Sequence, residues 1–235
     1  MISNSQLVVA IAAISCGLVF TIPSTIDYAH GDNINHGVFA IDSQPYGKPY
    51  AEWAGKWNQW LISVPQPLNP ATDHTGNNCG QNQAGPVWFL AGTTGGSAER
   101  TCIIPSGKAI LFPIISSGCD YAAYPNVKSE QALVSCARAD DDRATNLQAT
   151  VDGVPLKQLD KYRATSPLSS ITFPPHNLFG SPPGKTQGIA DGFWVFLQPL
   201  SPGKHELHFS GVTPGNPTTG TANFAIDTKY HLIVH

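Results

Sequence analysis

Between residues 50 and 61 the large apolar side chains fall at Tyr50, Trp53, Trp57, Trp60 and Leu61, the three-and-four spacing of one helical face. Pro49 suits the start of such a helix, where an amide donor is not needed, and Pro65 ends it. The pattern therefore predicts a helix from about residue 50 to Val64, with three of the chain's five tryptophans on one stripe. Three other segments, residues 86–92 (PVWFLAG), 108–115 (KAILFPII) and 193–197 (FWVFL), are apolar at odd and even positions alike, as in strands covered on both faces. The aromatic stripe and these strands explain each other if the helix lies on the sheet. Residues 224–234 alternate instead: Phe224, Ile226, Thr228, Tyr230, Leu232 and Val234 form one face, and mostly polar residues form the other.

Turn signals separate the strands. Asp152-Gly153 is a two-residue hairpin signal, and Pro105-Ser106-Gly107 and Pro202-Gly203 precede further strands. A second helix is expected from about Ser129 to Arg138, carrying Cys136. Residues 166–191 (SPLSSITFPPHNLFGSPPGKTQGIAD) read as a long loop too apolar for a disordered linker, and such loops are functional when ordered. The expected architecture is mostly β: an antiparallel sandwich of about 7–9 strands, with one or two helices packed on a sheet face.

Composition narrows the setting. Charged residues are 12% of the chain, Gly and Pro number 22 and 20, and the net charge of -3 offers no basic footprint for nucleic acid. Residues 7–20 (LVVAIAAISCGLVF) have the length of a signal-peptide core, with Ala29 and Gly31 as small residues before a cleavage point. The expected division is a signal peptide over 1–31 and one domain over 32–235. No Lys or Arg precedes the apolar run, so an uncleaved anchor is the alternative and the one route to a membrane; Cys16 is a weak match to a lipid-attachment cysteine. The remaining cysteines, Cys79, Cys102, Cys119 and Cys136, suit two disulfides of an exported protein, with three connectivities open. Neighbour pairing is preferred, each bridge closing a loop of about twenty residues and contributing about 3 kcal/mol. No C-x-x-C favours a metal site.

Candidate chemistry is sparse. His205 and His208 point to opposite faces of a strand, which leaves a cross-strand pairing of His208 with His231 as the metal candidate. Asp140, Asp141 and Asp142 form the only acidic run and are the candidate calcium ligands, against a plainer role as a cap or a solvated turn paired with Arg138 and Arg143. No G-x-S-x-G elbow is present; a triad assembled by the fold would draw His176, Asp191 and Ser169 or Ser170 from the long loop. Exposed aromatic side chains stack on sugar rings, and Tyr121, Tyr124, Tyr162 and Phe179, which lie near loops, are the platform candidates.

Several segments together resemble a group of small exported prokaryotic proteins. They are Tyr46-Gly47 leading into the tryptophan stripe, residues 85–92, Cys102-x-Ile-Pro-x-Gly-Lys-Ala109 with residues 112–114, residues 191–194 (DGFW) and residues 199–203 (PLSPG). The resemblance implies a shared fold and export, and carries no ligand, activity or site residue with it. The function expected from the residues is a non-catalytic binding or structural protein, secreted or at the cell surface, with a neutral polysaccharide or a surface protein as partner. A secreted hydrolase of esters or glycans, with its site at the 166–191 loop, is the alternative, and a metal-binding exported protein is the weaker one.

Overall fold

The computed structural model describes residues 35–218 and 220–235. The signal-peptide and anchor readings of residues 1–31 lie outside them. In chain order the elements are α1 (Tyr50–Ser63), β1 (Val87–Phe89), β2 (Gly96–Ile104), β3 (Ala109–Asp120), α2 (Glu130–Asp141) and β4 (Thr145–Val151). They continue with β5 (Val154–Pro155), β6 (Ser169–Phe173), β7 (Gly184–Leu197), β8 (Gly203–Thr213) and β9 (Phe224–Val234). Two sheets form the sandwich, one in the order β1-β3-β7-β6 and the other β2-β9-β8-β4-β5. Most pairings are antiparallel; β1 with β3 and β2 with β9 are parallel. Among the described residues no helix is long and apolar enough to cross a membrane.

The centre of the four-stranded sheet is buried on both faces, as its two-sided apolar runs require. Towards the other sheet, Phe112 of β3 meets Phe209 of β8 with ring centroids 4.7 Å apart. On the opposite face α1 lays down its stripe: Trp57 packs on Trp194 at 5.3 Å, and Tyr50 and Trp53 each meet Phe196 at 5.7 Å. An indole buried this way must still place its N–H. Trp53, Trp57 and Trp60 donate to the carbonyls of Pro45, Leu90 and Gln81 at 2.9, 2.8 and 2.7 Å. The stripe thus fixes the surrounding loops as well as covering the sheet. Pro49 is the N-cap and Val64 the C-cap, as the sequence pattern predicts.

Towards the end of β3 and the start of β7, α2 provides the cover, with Leu133 and Ala137 packed on Cys119 and Ile189. Ser129 caps α2 by accepting from the Ala132 amide at 3.2 Å. The helix extends three residues past the expected end, so the acidic run lies in and just after its last turn. The disulfides are Cys79–Cys102, tying a loop to β2, and Cys119–Cys136, tying β3 to α2. This is the neighbour pairing.

The 166–191 stretch is not one long loop. It holds β6 and the first half of β7, which pair in register from Ser169↔Gly188 to Phe173↔Gly184 and leave a loop of residues 174–183. One of the glycines that suggested a loop serves close packing: a Cβ on Gly188 would lie 3.0 Å from the Cys119 carbonyl. β2 carries a buried Arg100 on its inward face. Its guanidinium donates to the carbonyls of Asp73 (2.6 Å), Ala91 (2.6 Å), Gly92 (3.1 Å) and Ala71 (3.2 Å) and to the Tyr230 hydroxyl (2.8 Å). A full set of acceptors is what makes a buried cation tolerable.

Candidate functional site

Where the last turn of α1 runs out over the sheet, its cover is incomplete. A cleft of about 440 Å³ opens between Trp57, Asn58, Leu61 and Ile62 of α1, the end of β3, β6 and the 174–183 loop. A second recess of about 370 Å³ adjoins it, sharing Trp57, Leu61, Ser116 and Phe179, and reaches the β1–β2 connection and the start of β9. The floor is apolar because it is the uncovered part of the same face that the tryptophan stripe buries elsewhere.

The walls are shaped by local hydrogen bonds. Asn177 is buried inside the 174–183 loop: its Oδ1 accepts from the amides of Phe179 (3.2 Å) and Ser181 (3.0 Å), and its Nδ2 donates to the carbonyls of Pro174 (3.0 Å) and Ser181 (2.8 Å). The Gln66 amide anchors the loop on the His176 carbonyl at 2.8 Å. This internal scaffold holds the Phe179 ring, 59% exposed, at the junction of the two recesses. Opposite, the Asp120 carboxylate accepts from the amides of Ala122 and Ala123 at 2.8 and 2.9 Å, and this turn presents Tyr124, 45% exposed. Asn58 and Ser116 line the cleft with side chains that make no hydrogen bond to the described residues. The cleft therefore offers an aromatic rim, an apolar floor and neutral hydrogen-bonding groups that are not engaged.

On the other side of the β3–β7 ribbon lies a buried charge cluster. Asp191 is fully buried and receives Arg163 Nε at 2.9 Å, a second guanidinium nitrogen at 2.7 Å and the Thr165 hydroxyl. Arg163 also reaches Asp142 at 2.7 Å, while Asp140 pairs with Arg143 at 2.7 Å. Asp141 turns inward: its Oδ2 accepts the Ser117 amide (3.1 Å) and hydroxyl (2.9 Å), and its Oδ1 has no partner. Burial, to which the charge of Asp191 adds, outweighs the Ser117 hydrogen bonds and pushes the Asp141 carboxyl up to about 7. The candidate calcium ligands thus turn to three different partners.

The structure does not gather the candidate triad. His176 is exposed on the loop with φ 56°, Asp191 is held by Arg163, and Ser170 is exposed with its carbonyl taken by Gln59 at 2.9 Å. Ser169 directs its hydroxyl to the Gly188 carbonyl at 3.4 Å. No hydrogen bond among the described residues joins His176 to the other three. Of the platform candidates, Tyr124 and Phe179 meet in the cleft, whereas Tyr121 packs beside α2 and Tyr162 is buried against Tyr50 with ring centroids 6.3 Å apart. His208 and His231 share the solvent face of the five-stranded sheet but bind separate carboxylates, Asp227 at 2.9 Å and Glu99 at 2.6 Å. Among the described residues no group of three or more His, Cys, Asp or Glu side chains is placed to hold a metal ion.

Sequence reasoning missed Asn58 and Ser116. Asn58 is hidden among the tryptophans of α1. Ser116-Ser117-Gly118 does carry a signal, because three small residues break the apolar run of β3. No family model, curated protein or solved structure matches the chain.

Proposed function

We propose that the chain is an exported, non-catalytic binding protein that takes a neutral saccharide, as found in extracellular polysaccharides, in the cleft between α1 and the 174–183 loop. One observation carries the reading: exposed Phe179 and Tyr124 meet the unengaged Asn58 and Ser116 over a single apolar floor. Sugar rings present an apolar C–H face to an aromatic plane and hydroxyls at their edge to amides and hydroxyls. Asp120, the carboxylate in the wall, commits one oxygen to two backbone amides, which favours its ionised form and so disfavours an anionic guest. Export is supported by the two disulfides, which persist in oxidising compartments, and by the apolar run of residues 7–20.

A second reading, a secreted hydrolase, has one observation in its favour. Asp141, raised to about 7, would hold its proton near neutral pH as a general acid must, beside the second carboxylate Asp191. It lines a smaller recess of about 210 Å³ with Ser116 and Ser117.

Calorimetric titration against neutral oligosaccharides and polysaccharides, with product analysis, separates the two. The binding reading expects at least one ligand, no turnover, and affinity reduced about tenfold by Phe179→Ala and by Asn58→Ala. Silence of the folded protein across the panel would remove it. Turnover abolished by Asp141→Asn would put the hydrolase in its place.

A further inference from the structure

The two recesses differ in chemistry. The first holds the unengaged polar groups: the Asn58 amide, the Ser116 hydroxyl and the Tyr124 hydroxyl at the rim. The second is walled by Pro113, Ile114, Ile115, Leu178, Phe224 and Ile226, and several of its polar atoms are already engaged. The Ala91 carbonyl accepts from both Arg100 (2.6 Å) and the Tyr230 hydroxyl (2.8 Å), and the Gly92 carbonyl accepts from Arg100 (3.1 Å). The Thr93 hydroxyl donates to the Gly96 carbonyl at 3.0 Å and lies 3.3 Å from the Gly95 amide, which donates to it. Of its hydroxyls, those of Thr94, exposed at the mouth, and of the shared Ser116 make no hydrogen bond to the described residues. A sugar ring entering this recess would give up most of its hydroxyls' bonds to water for few replacements, whereas an apolar group would lose nothing. Phe179 lines both recesses and offers one ring to a guest that changes character at that point.

We propose that the ligand is a neutral glycoside with an apolar aglycone, its sugar beside Asn58, Ser116 and Tyr124 and its aglycone in the recess between the β1–β2 connection and β9. This rests on the saccharide-binding reading and specifies its ligand class. The ligand is distinguished by a join between polar and apolar parts, not by a longer run of sugars.

The test compares methyl and octyl glycosides of the same sugars, at concentrations below micelle formation, on the mature protein with disulfides intact. The octyl compound is expected to bind about tenfold tighter or better, from the added methylenes alone. Thr94→Trp, at an exposed position, fills the mouth of the second recess and should erase that preference while leaving methyl glycoside binding and the unfolding midpoint unchanged. Equal affinity for the two compounds in wild type would overturn this inference and leave the saccharide reading standing, since the first recess would suffice. An octyl advantage that survives Thr94→Trp would also overturn it, by placing the chain elsewhere. Octanol binding as tightly as octyl glycoside, or no glycoside binding at all, would overturn both.

Discussion

The outer faces of the two sheets solve the same problem in opposite ways. The four-stranded sheet hides its outer face under four aromatic residues of α1, and apolar surface reaches solvent in the cleft beside the C-terminal half of that helix. The five-stranded sheet leaves its outer face wet and studs it with paired polar side chains: the Lys229–Glu206 ion pair at 2.9 Å and the His208–Asp227 and His231–Glu99 hydrogen bonds at 2.9 and 2.6 Å. On the wet face these side chains pair with one another, which leaves them little to offer a ligand. On the covered face a gap in the packing leaves apolar area and unsatisfied hydrogen-bonding groups side by side, a combination that binding can exploit.

The sharpest way to break this comparison is to remove part of the cover. Trp57→Ala deletes a nearly fully buried indole that touches Trp60 and Trp194 and donates to Leu90, and should cost about 3–5 kcal/mol in a denaturant titration. A loss near zero would mean that α1 is not the lid its packing implies. A smaller effect concerns the buried acid behind the ribbon. Because the Asp141 carboxyl is raised to about 7 in the fold and titrates near 4 when unfolded, the folded state binds the extra proton between those values. Its contribution is therefore fully present below about pH 4 and lost as pH rises towards 7. Asp141→Asn, which keeps an acceptor for Ser117, should gain on wild type over this window by on the order of 2 kcal/mol, with water entry lowering the full value. A difference that does not change with pH would contradict the burial argument. The smallest effect belongs to the wet face: Glu206→Gln, which removes the partner of Lys229, should leave thermal unfolding without measurable change, as exposed pairs commonly do. A clear loss there would make the two faces more alike than the packing suggests.

The same contrast decides what could be read from the sequence. Large apolar side chains announce themselves by spacing, so α1, the centres of β3 and β7, and the alternating β9 were legible, as were the disulfides from cysteine spacing and setting. β2 was not, because Arg100 occupies a buried position and its acceptors come from Ala71, Asp73, Ala91, Gly92 and Tyr230, which only the fold brings together. β6 and the start of β7 were hidden by the prolines and glycines around them, among which Gly188, needed for close approach to β3, looks like a turn residue in a linear reading. The cleft was half visible. Phe179 and Tyr124 stood out as aromatic residues near loops, while Asn58 and Ser116 lie 58 positions apart on a helix and a strand and acquire meaning only where α1 crosses the end of β3.

A titration of the isotopically labelled protein with a neutral glycoside, followed by its amide and side-chain NMR signals, tests the central claim most directly. The account predicts shifts concentrated at the Asn58 side chain, the amides of residues 116–118 and the 177–181 segment, with the Trp57 indole responding and Glu99, His208 and Lys229 silent. Shifts centred on the wet face, or a spectrum unchanged by every neutral glycoside in the panel, would contradict it.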